Sequence, residues 1–425
     1  MNNISSTHCS FAITDFEEAK EKVLNWAQQF STFCFLDNHR YQLEPHSAEC
    51  LLAAGVKREI RSTAGQGPGN MDPLNSPRPS WLFGHLGYGL LDETASALPD
   101  PLGFDDLYFF EPQILVRLEP GAIHIGSPDP AVTWEAIQKA PPVPDFSLPK
   151  GPIQQRYSRE EYLDVIRRLR EHILRGDCYE INFCQEFFME NCRISPLHVY
   201  QQLSRISPNP FSALYRTGDQ WLICASPERY LRKEGSRILS QPIKGTAARD
   251  LKDPQKDLQR REALRQNAKD RSENVMVVDL VRNDLSRVCR EGTVQVDELF
   301  GVYSFPQVHQ MISTVSGTLR ENISFMDIIR ASFPMGSMTG APKKKVMELI
   351  RRYEKSRRGI FSGALGYISP EGDFDFNVVI RSIMYNASTG YCSFQAGSGI
   401  TWYSDPELEW EECLVKVSAM EQVLR

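Results

Sequence analysis

No C-x-x-C pair occurs among the ten cysteines of this 425-residue sequence, which stand at 9, 34, 50, 178, 184, 192, 224, 289, 392 and 413. The eight histidines form no H-E-x-x-H or other closely spaced set. This excludes the usual zinc and dithiol centres, and the thiols read as reduced. Also missing is any apolar run approaching the ~20 residues of a membrane span. The opening residues, MNNISSTHCS, lack a basic segment followed by an apolar one. Positive charge is not in excess: 48 Lys and Arg against 54 Asp and Glu leave a net charge of -6, which disfavours nucleic acid or an anionic membrane as partner. The expectation is a cytoplasmic protein. No repeat of roughly 20 to 50 residues is visible, and no regular βαβ rhythm.

What is present is an ordinary globular composition, 41% hydrophobic and 24% charged, on a chain long enough for two packed halves. Strand-rich and helix-rich runs mix, which predicts an α+β fold. Residues 14 to 28 read as a helix capped by Thr14 or Asp15, and FCFLDNHRY (33 to 41) as a strand entering a turn. Pro and Gly density makes 65 to 80 an irregular loop, while 81 to 91 and 106 to 119 read as buried strands. Five prolines in the twelve residues 141 to 152 mark a linker, dividing an N-terminal part (1 to 150) from a motif-rich remainder (151 to 425). Beyond it, Ser158-x-x-Glu161 is a capping box opening a helix over 159 to 175, with Tyr162, Val165, Leu169 and Ile173 as its core positions. CYEINFCQEFFM then reads as a strand, WLICASPERYLRK (221 to 233) as another ending near Glu228, and 274 to 288 as a helix. The last helix starts at Asp405 or Ser404 with Pro406 in its first turn, and carries the apolar stripe Trp410, Leu414, Val417, Met420 and Leu424.

Several polar residues stand out against this background. In SQPIKGT (240 to 246), Lys244 sits between an apolar run and a Gly-Thr turn, where Gly245 and the Thr246 hydroxyl fit a carboxylate. Taken alone, a solvated turn lysine is the better reading, because lysines are seldom buried. A desolvated amine with other cations nearby would lose its proton and become a nucleophile. Glu228 follows Ser-Pro at the end of an apolar strand, and by itself fits a strand-end glutamate facing water. Asp270 and Glu273 make a capping-box pattern. Glu409, Glu412 and Lys416 share one helical face, as an exposed ion pair would. Arg381, in the apolar run NVVIRSI, needs an anionic partner, for which a carboxylate is the best geometric match. GSMTGAPK lacks the G-x-x-x-x-G-K-[ST] pattern of a phosphate loop.

In order, GDCYEINF (176 to 183), SPERY (226 to 230), PIKGT (242 to 246), SENVMVVDLVRND (272 to 284), GSMTGAPKKKVMELI (336 to 350), GALGYI (363 to 368), VIRS (379 to 382) and AGSGITWYSDPELEWEECLVK (396 to 416) resemble the motif series of the chorismate-utilising enzymes. That family includes anthranilate, aminodeoxychorismate and isochorismate synthases, and the resemblance covers about residues 155 to 425. It implies two halves with largely antiparallel sheets packed face to face and helices outside. The lysine in PIKGT points to the p-aminobenzoate branch, where chorismate is aminated for folate synthesis; anthranilate synthases usually carry alanine there.

By the same resemblance Lys244 is the nucleophile and Glu228 the general acid. Gly245, Thr246, Ser337, Thr339, Arg381, Gly397, Gly399 and Lys416 are substrate-binding, Glu273 and Glu412 bind Mg²⁺, and Asp270 and Glu409 stand outside them. Chorismate and ammonia are the implied substrates, a separate glutamine amidotransferase the implied partner, and tryptophan a further ligand of the 33 to 41 segment. Three departures accompany the match. Gln310, beside His309, stands where anthranilate synthases have histidine, which weakens ring aromatisation. Phe361 replaces a tyrosine, and Glu180 stands where isochorismate synthases place a water-activating lysine. Anthranilate synthase is the close alternative; a non-catalytic tryptophan-sensing subunit disagrees with the retained Lys244, Glu228, Glu273 and Glu412.

Overall fold

Antiparallel pairing organises the chain. The computed structural model describes residues 7–41, 50–62, 72–73, 79–92, 98–144, 151–305 and 308–425, and among these it holds twenty strands and nine α-helices. The result is the α+β architecture expected from the sequence. Alternation along the strands builds two cores. On Gln220–Ser226, Trp221, Ile223 and Ala225 enter one, while Leu222 and Cys224 enter the other. Helices Phe16–Ala27, Arg159–Leu174, Pro196–Ile206 and Pro406–Leu424 cover the first. The second draws on Leu82–Leu86, Leu107–Glu119, Ala364–Ile368 and Phe374–Val378, with helices Ala268–Ser286 and Phe325–Ser332 packed against it. Strand pairing also crosses residue 150: Thr32–Asp37 pairs with Phe211–Thr217, and Leu82–Leu86 with Ala364–Ile368. Among the described residues no helix is long and apolar enough to cross a membrane.

Local signals placed many elements well. Asp15 caps the first helix by accepting from the Glu18 amide, and Ser158 and Glu161 form the capping box of Arg159–Leu174. Tyr162 and Leu169 are buried there, while Val165 and Ile173 are only half-buried. Asp405 caps Pro406–Leu424. Residues 65–71 and 74–78 of the Pro- and Gly-rich loop, and 145–150 of the linker, lie outside the described residues.

Five expectations need correction. The run 221 to 233 is two strands, Gln220–Ser226 and Arg229–Glu234, because Pro227 cannot donate to a ladder. PIKGT is not a turn but part of strand Ile243–Ala248, which bulges at Lys244 and Gly245. The helix expected from 274 is Ala268–Ser286, capped by Asn267, so Glu273 lies inside it. Leu414 is 38% exposed and Cys413 is buried in its place, a one-residue rotation of the stripe. Arg381 is not on a strand: it turns the chain at φ +53° between Phe374–Val378 and Ser382–Asn386.

Candidate active site

A bulge aims the lysine. Strand Ile243–Ala248 pairs with Val308–Thr318 so that Ile243 faces Ile312 and Thr246 faces Gln310, which leaves one extra residue on the lysine side. Gly245 makes this possible at φ +91°, where a Cβ would come within 2.9 Å of the Asp270 carboxyl carbon. The displaced Lys244 is buried, and its Nζ donates to Glu180 Oε1 at 2.6 Å. Glu180 begins strand Glu180–Met189, every residue of which is buried, held between the glycine-bearing strand Tyr391–Ile400 and the short Gly340–Ala341. Opposite the pair stands Gly399. A side chain there would meet Glu180 Oε1 at 2.6 Å, Lys244 Nζ at 2.8 Å and Glu273 Oε2 at 3.5 Å, so glycine keeps open the space that these three groups face.

Glu228 occupies the break after Pro227 and is 4% exposed. Burial pushes its carboxyl up to about 7, against the pull of the Ser337 hydroxyl and Lys244. Glu273, on the helix that flanks the bulge, is likewise raised to about 7 by burial, with Lys244 opposing. The sign at Lys244 itself is the reverse of the expectation. Burial acts to lower its pKa, but Glu180 and Glu273 overcome this and hold it well above the ordinary lysine range. The expected cationic neighbours lie elsewhere: Lys416 Nζ bonds Glu412 Oε1 at 2.6 Å and the Gly397 carbonyl at 2.7 Å, and Arg381 donates to the Lys416 carbonyl at 3.3 Å.

A carboxylate cluster adjoins this pair. Lys269 Nζ lies 3.0 Å from Glu409, 3.8 Å from Glu273 and 4.0 Å from Glu412. Glu409 is fully buried, and its Oε2, like Glu273 Oε1, has no hydrogen-bond partner among the described residues. Among the described residues no group of carboxylates grips an ion as placed. The oxygen-only donor set, with two buried oxygens unbonded, nevertheless suits a hard divalent cation once Lys269 moves aside.

Most of the expected site residues therefore converge: Lys244, Glu228, Gly399 and Ser337 around the amine, and Glu273, Glu412, Glu409, Asp270, Lys416 and Arg381 alongside. Others act differently. Thr246 is exposed. Thr339 donates its hydroxyl to the Met335 carbonyl at 3.1 Å, bracing its own turn. A Cβ on Gly397 would fall 1.9 Å from the Phe183 carbonyl oxygen, so that glycine serves strand pairing. Of the departures, Gln310 is buried with Oε1 unbonded, Phe361 is core, and His309 is tied to Ser304 at 2.9 Å and Asp257 at 3.0 Å.

Sequence reasoning missed two participants. Lys269 was signalled only by standing four residues before Glu273, one helical turn away. Arg358 is 3% exposed and bonds Glu354 at 2.6 Å, the Met338 carbonyl at 2.7 Å and the Asn182 carbonyl at 2.9 Å, tying the glutamate strand to the 336–338 turn.

Fold and cluster together define a known class: the chain belongs to the chorismate binding enzyme family, whose model matches residues 24–422. Within it, the chain is 38% identical over 346 residues to aminodeoxychorismate synthase component 1 of Salmonella typhimurium, covering 79% of this chain and 74% of that one. It is 33% identical over 361 residues to anthranilate synthase component 1 of Thermus thermophilus, covering 80% of this chain and 77% of that one. Its backbone is similar to the crystal structure of anthranilate synthase component I from Streptococcus pneumoniae, with a TM-score of 0.74 at 25% identity over 91% of this chain and 94% of that one.

Proposed function

We propose that this chain is the cytoplasmic synthase component that converts chorismate and ammonia into 4-amino-4-deoxychorismate, on the route to p-aminobenzoate and folate. The observation that carries the reading is the buried amine of Lys244, aimed by a bulge at the space that Gly399 keeps open. The likeness to aminodeoxychorismate synthase component 1 supports it.

Chorismate is a dicarboxylate whose ring hydroxyl must leave. Arg381, which makes no carboxylate salt bridge among the described residues although the Glu412 charge acts on it, and Lys416 receive one carboxylate. Glu273 and Glu412 would hold Mg²⁺, with Asp270 and Glu409 outside them; the bound ion would neutralise carboxylate charge. Glu228, protonated up to about pH 7, gives its proton to the departing hydroxyl, which leaves as water. Lys244, as the free amine, bonds to the ring with an allylic shift; ammonia then adds and the lysine departs. The reactive form pairs a protonated Glu228 with a neutral Lys244, and this form is a minor one because Glu180 favours the ammonium.

Ammonia comes from a separate glutamine amidotransferase. The same reading keeps tryptophan as a ligand of the 33 to 41 segment, although the cavity beside Leu36, Asp37 and Phe211, about 30 Å³, is too small to receive it as placed. Gln310, an amide that cannot take a proton, argues against aromatisation to anthranilate. The test is incubation with chorismate, ammonium and Mg²⁺ and identification of products by mass. An aminated product that keeps the enolpyruvyl group supports the reading; anthranilate with pyruvate moves the chain to the other branch, and no turnover sinks both.

A further inference from the structure

Lys269 is the most exposed lysine of the described site: its side chain is 37% exposed, against 9% for Lys244 and 27% for Lys416. It is the second residue of helix Ala268–Ser286, where a cation opposes the helix dipole. Its position must therefore be favoured by something else. The three carboxylates within 4.0 Å supply that, two of them from the C-terminal helix and one from a turn further along its own. Glu409 Oε2 and Glu273 Oε1 are buried without hydrogen bonds among the described residues, so the ammonium answers their charge without satisfying both oxygens.

We propose that Lys269 is a tethered counter-cation: its ammonium neutralises the Glu273, Glu409 and Glu412 cluster in the metal-free enzyme and swings to solvent when a divalent cation takes its place. Metal binding is then an exchange of one cation for another. The tether stabilises the metal-free form and weakens metal affinity, which raises the metal concentration needed for loading. A long, flexible stem that reaches water makes the exit possible without backbone movement. The inference rests on the metal reading given above.

The experiment measures Mg²⁺ binding by calorimetry and Mn²⁺ binding by electron paramagnetic resonance, on the full chain without chorismate. Lys269→Gln should bind either ion roughly tenfold tighter or more, because a competing unit charge is gone. Its metal-free form should melt below the wild type, and saturating Mg²⁺ should close that gap. Lys269→Arg, whose planar fork grips carboxylates more firmly, should bind metal more weakly than wild type, and it tests the idea even if the glutamine variant does not fold. Unchanged or weaker binding in Lys269→Gln, or unchanged or tighter binding in Lys269→Arg, overturns the exchange while leaving the metal site standing. Wild-type protein with no binding that Glu273→Gln removes overturns the metal reading itself, and the exchange falls with it.

Discussion

Lys244 and Glu180, 64 residues apart in sequence, share a buried hydrogen bond of 2.6 Å between ammonium and carboxylate. The pair sets the protonation state of the amine. Glu180 and Glu273 hold Lys244 above the ordinary lysine range, so the free amine becomes more abundant only as pH rises. Glu180→Gln removes one of these charges and keeps the shape. Covalent modification of Lys244 by chorismate, followed by mass across a pH series, should therefore rise at lower pH in the variant. A rise at the wild-type pH would show that Glu180 does not govern the amine.

Glu228 runs the other way. Its carboxyl is raised to about 7 by burial, and only the protonated form can serve the leaving hydroxyl. The reactive form also needs a neutral Lys244, whose abundance grows with pH. Turnover should therefore rise as pH climbs to about 7 and level off above it, where loss of the Glu228 proton offsets the gain in free amine. Glu228→Gln should remove that break and lower kcat by roughly 10²- to 10⁴-fold with chorismate binding retained. A glutamine variant with wild-type kcat would remove Glu228 from the chemistry.

Much of this was legible in the sequence, and what was not has a common cause. Asp15, Ser158 and Asp405 announce their helices because capping is local. The bulge at Lys244 is set by register against Val308–Thr318, which no window around PIKGT contains. The sign of the Lys244 shift failed for the same reason: its acidic neighbours come from a strand at 180 and a helix at 273, whereas Arg381 and Lys416 engage a carbonyl and Glu412. Within 247 to 275 Lys269 is one charge among many, and only the fold brings the C-terminal helix beside it.

Burial, helped by the Glu180 and Glu412 charges, disfavours the ionised form of Glu273 even with Lys244 and Lys269 nearby. Glu273 has a folded-state pKa of about 7, above its ordinary 4.5, so the folded state binds more protons than the unfolded one between these values. Stability of the metal-free protein should consequently fall as pH rises from 4.5 to about 7, then level off. Glu273→Gln should flatten that fall and abolish turnover at saturating Mg²⁺ with little loss of stability, as read by thermal melting; Glu412→Gln should abolish turnover too. Full activity in either variant would rule out the metal assignment.

Arg358 is a structural test case. Replacing it with methionine leaves Glu354 buried without its partner, which should cost about 3 to 5 kcal/mol in denaturant unfolding. A loss under about 1 kcal/mol would mean that water or a shifted side chain satisfies Glu354.

The nucleophile carries the account. Lys244→Ala should still bind chorismate, since Arg381 and Lys416 remain, yet lose most ammonia-dependent turnover. The most direct measurement is the mass of wild-type protein after incubation with chorismate and Mg²⁺ in the absence of ammonia, followed by a denaturing quench and peptide mapping. The account predicts a chorismate-derived adduct, less one water, on the peptide containing Lys244, discharged when ammonium is added; an aminating enzyme that never shows this adduct, and whose alanine variant turns over at the wild-type rate, would contradict it.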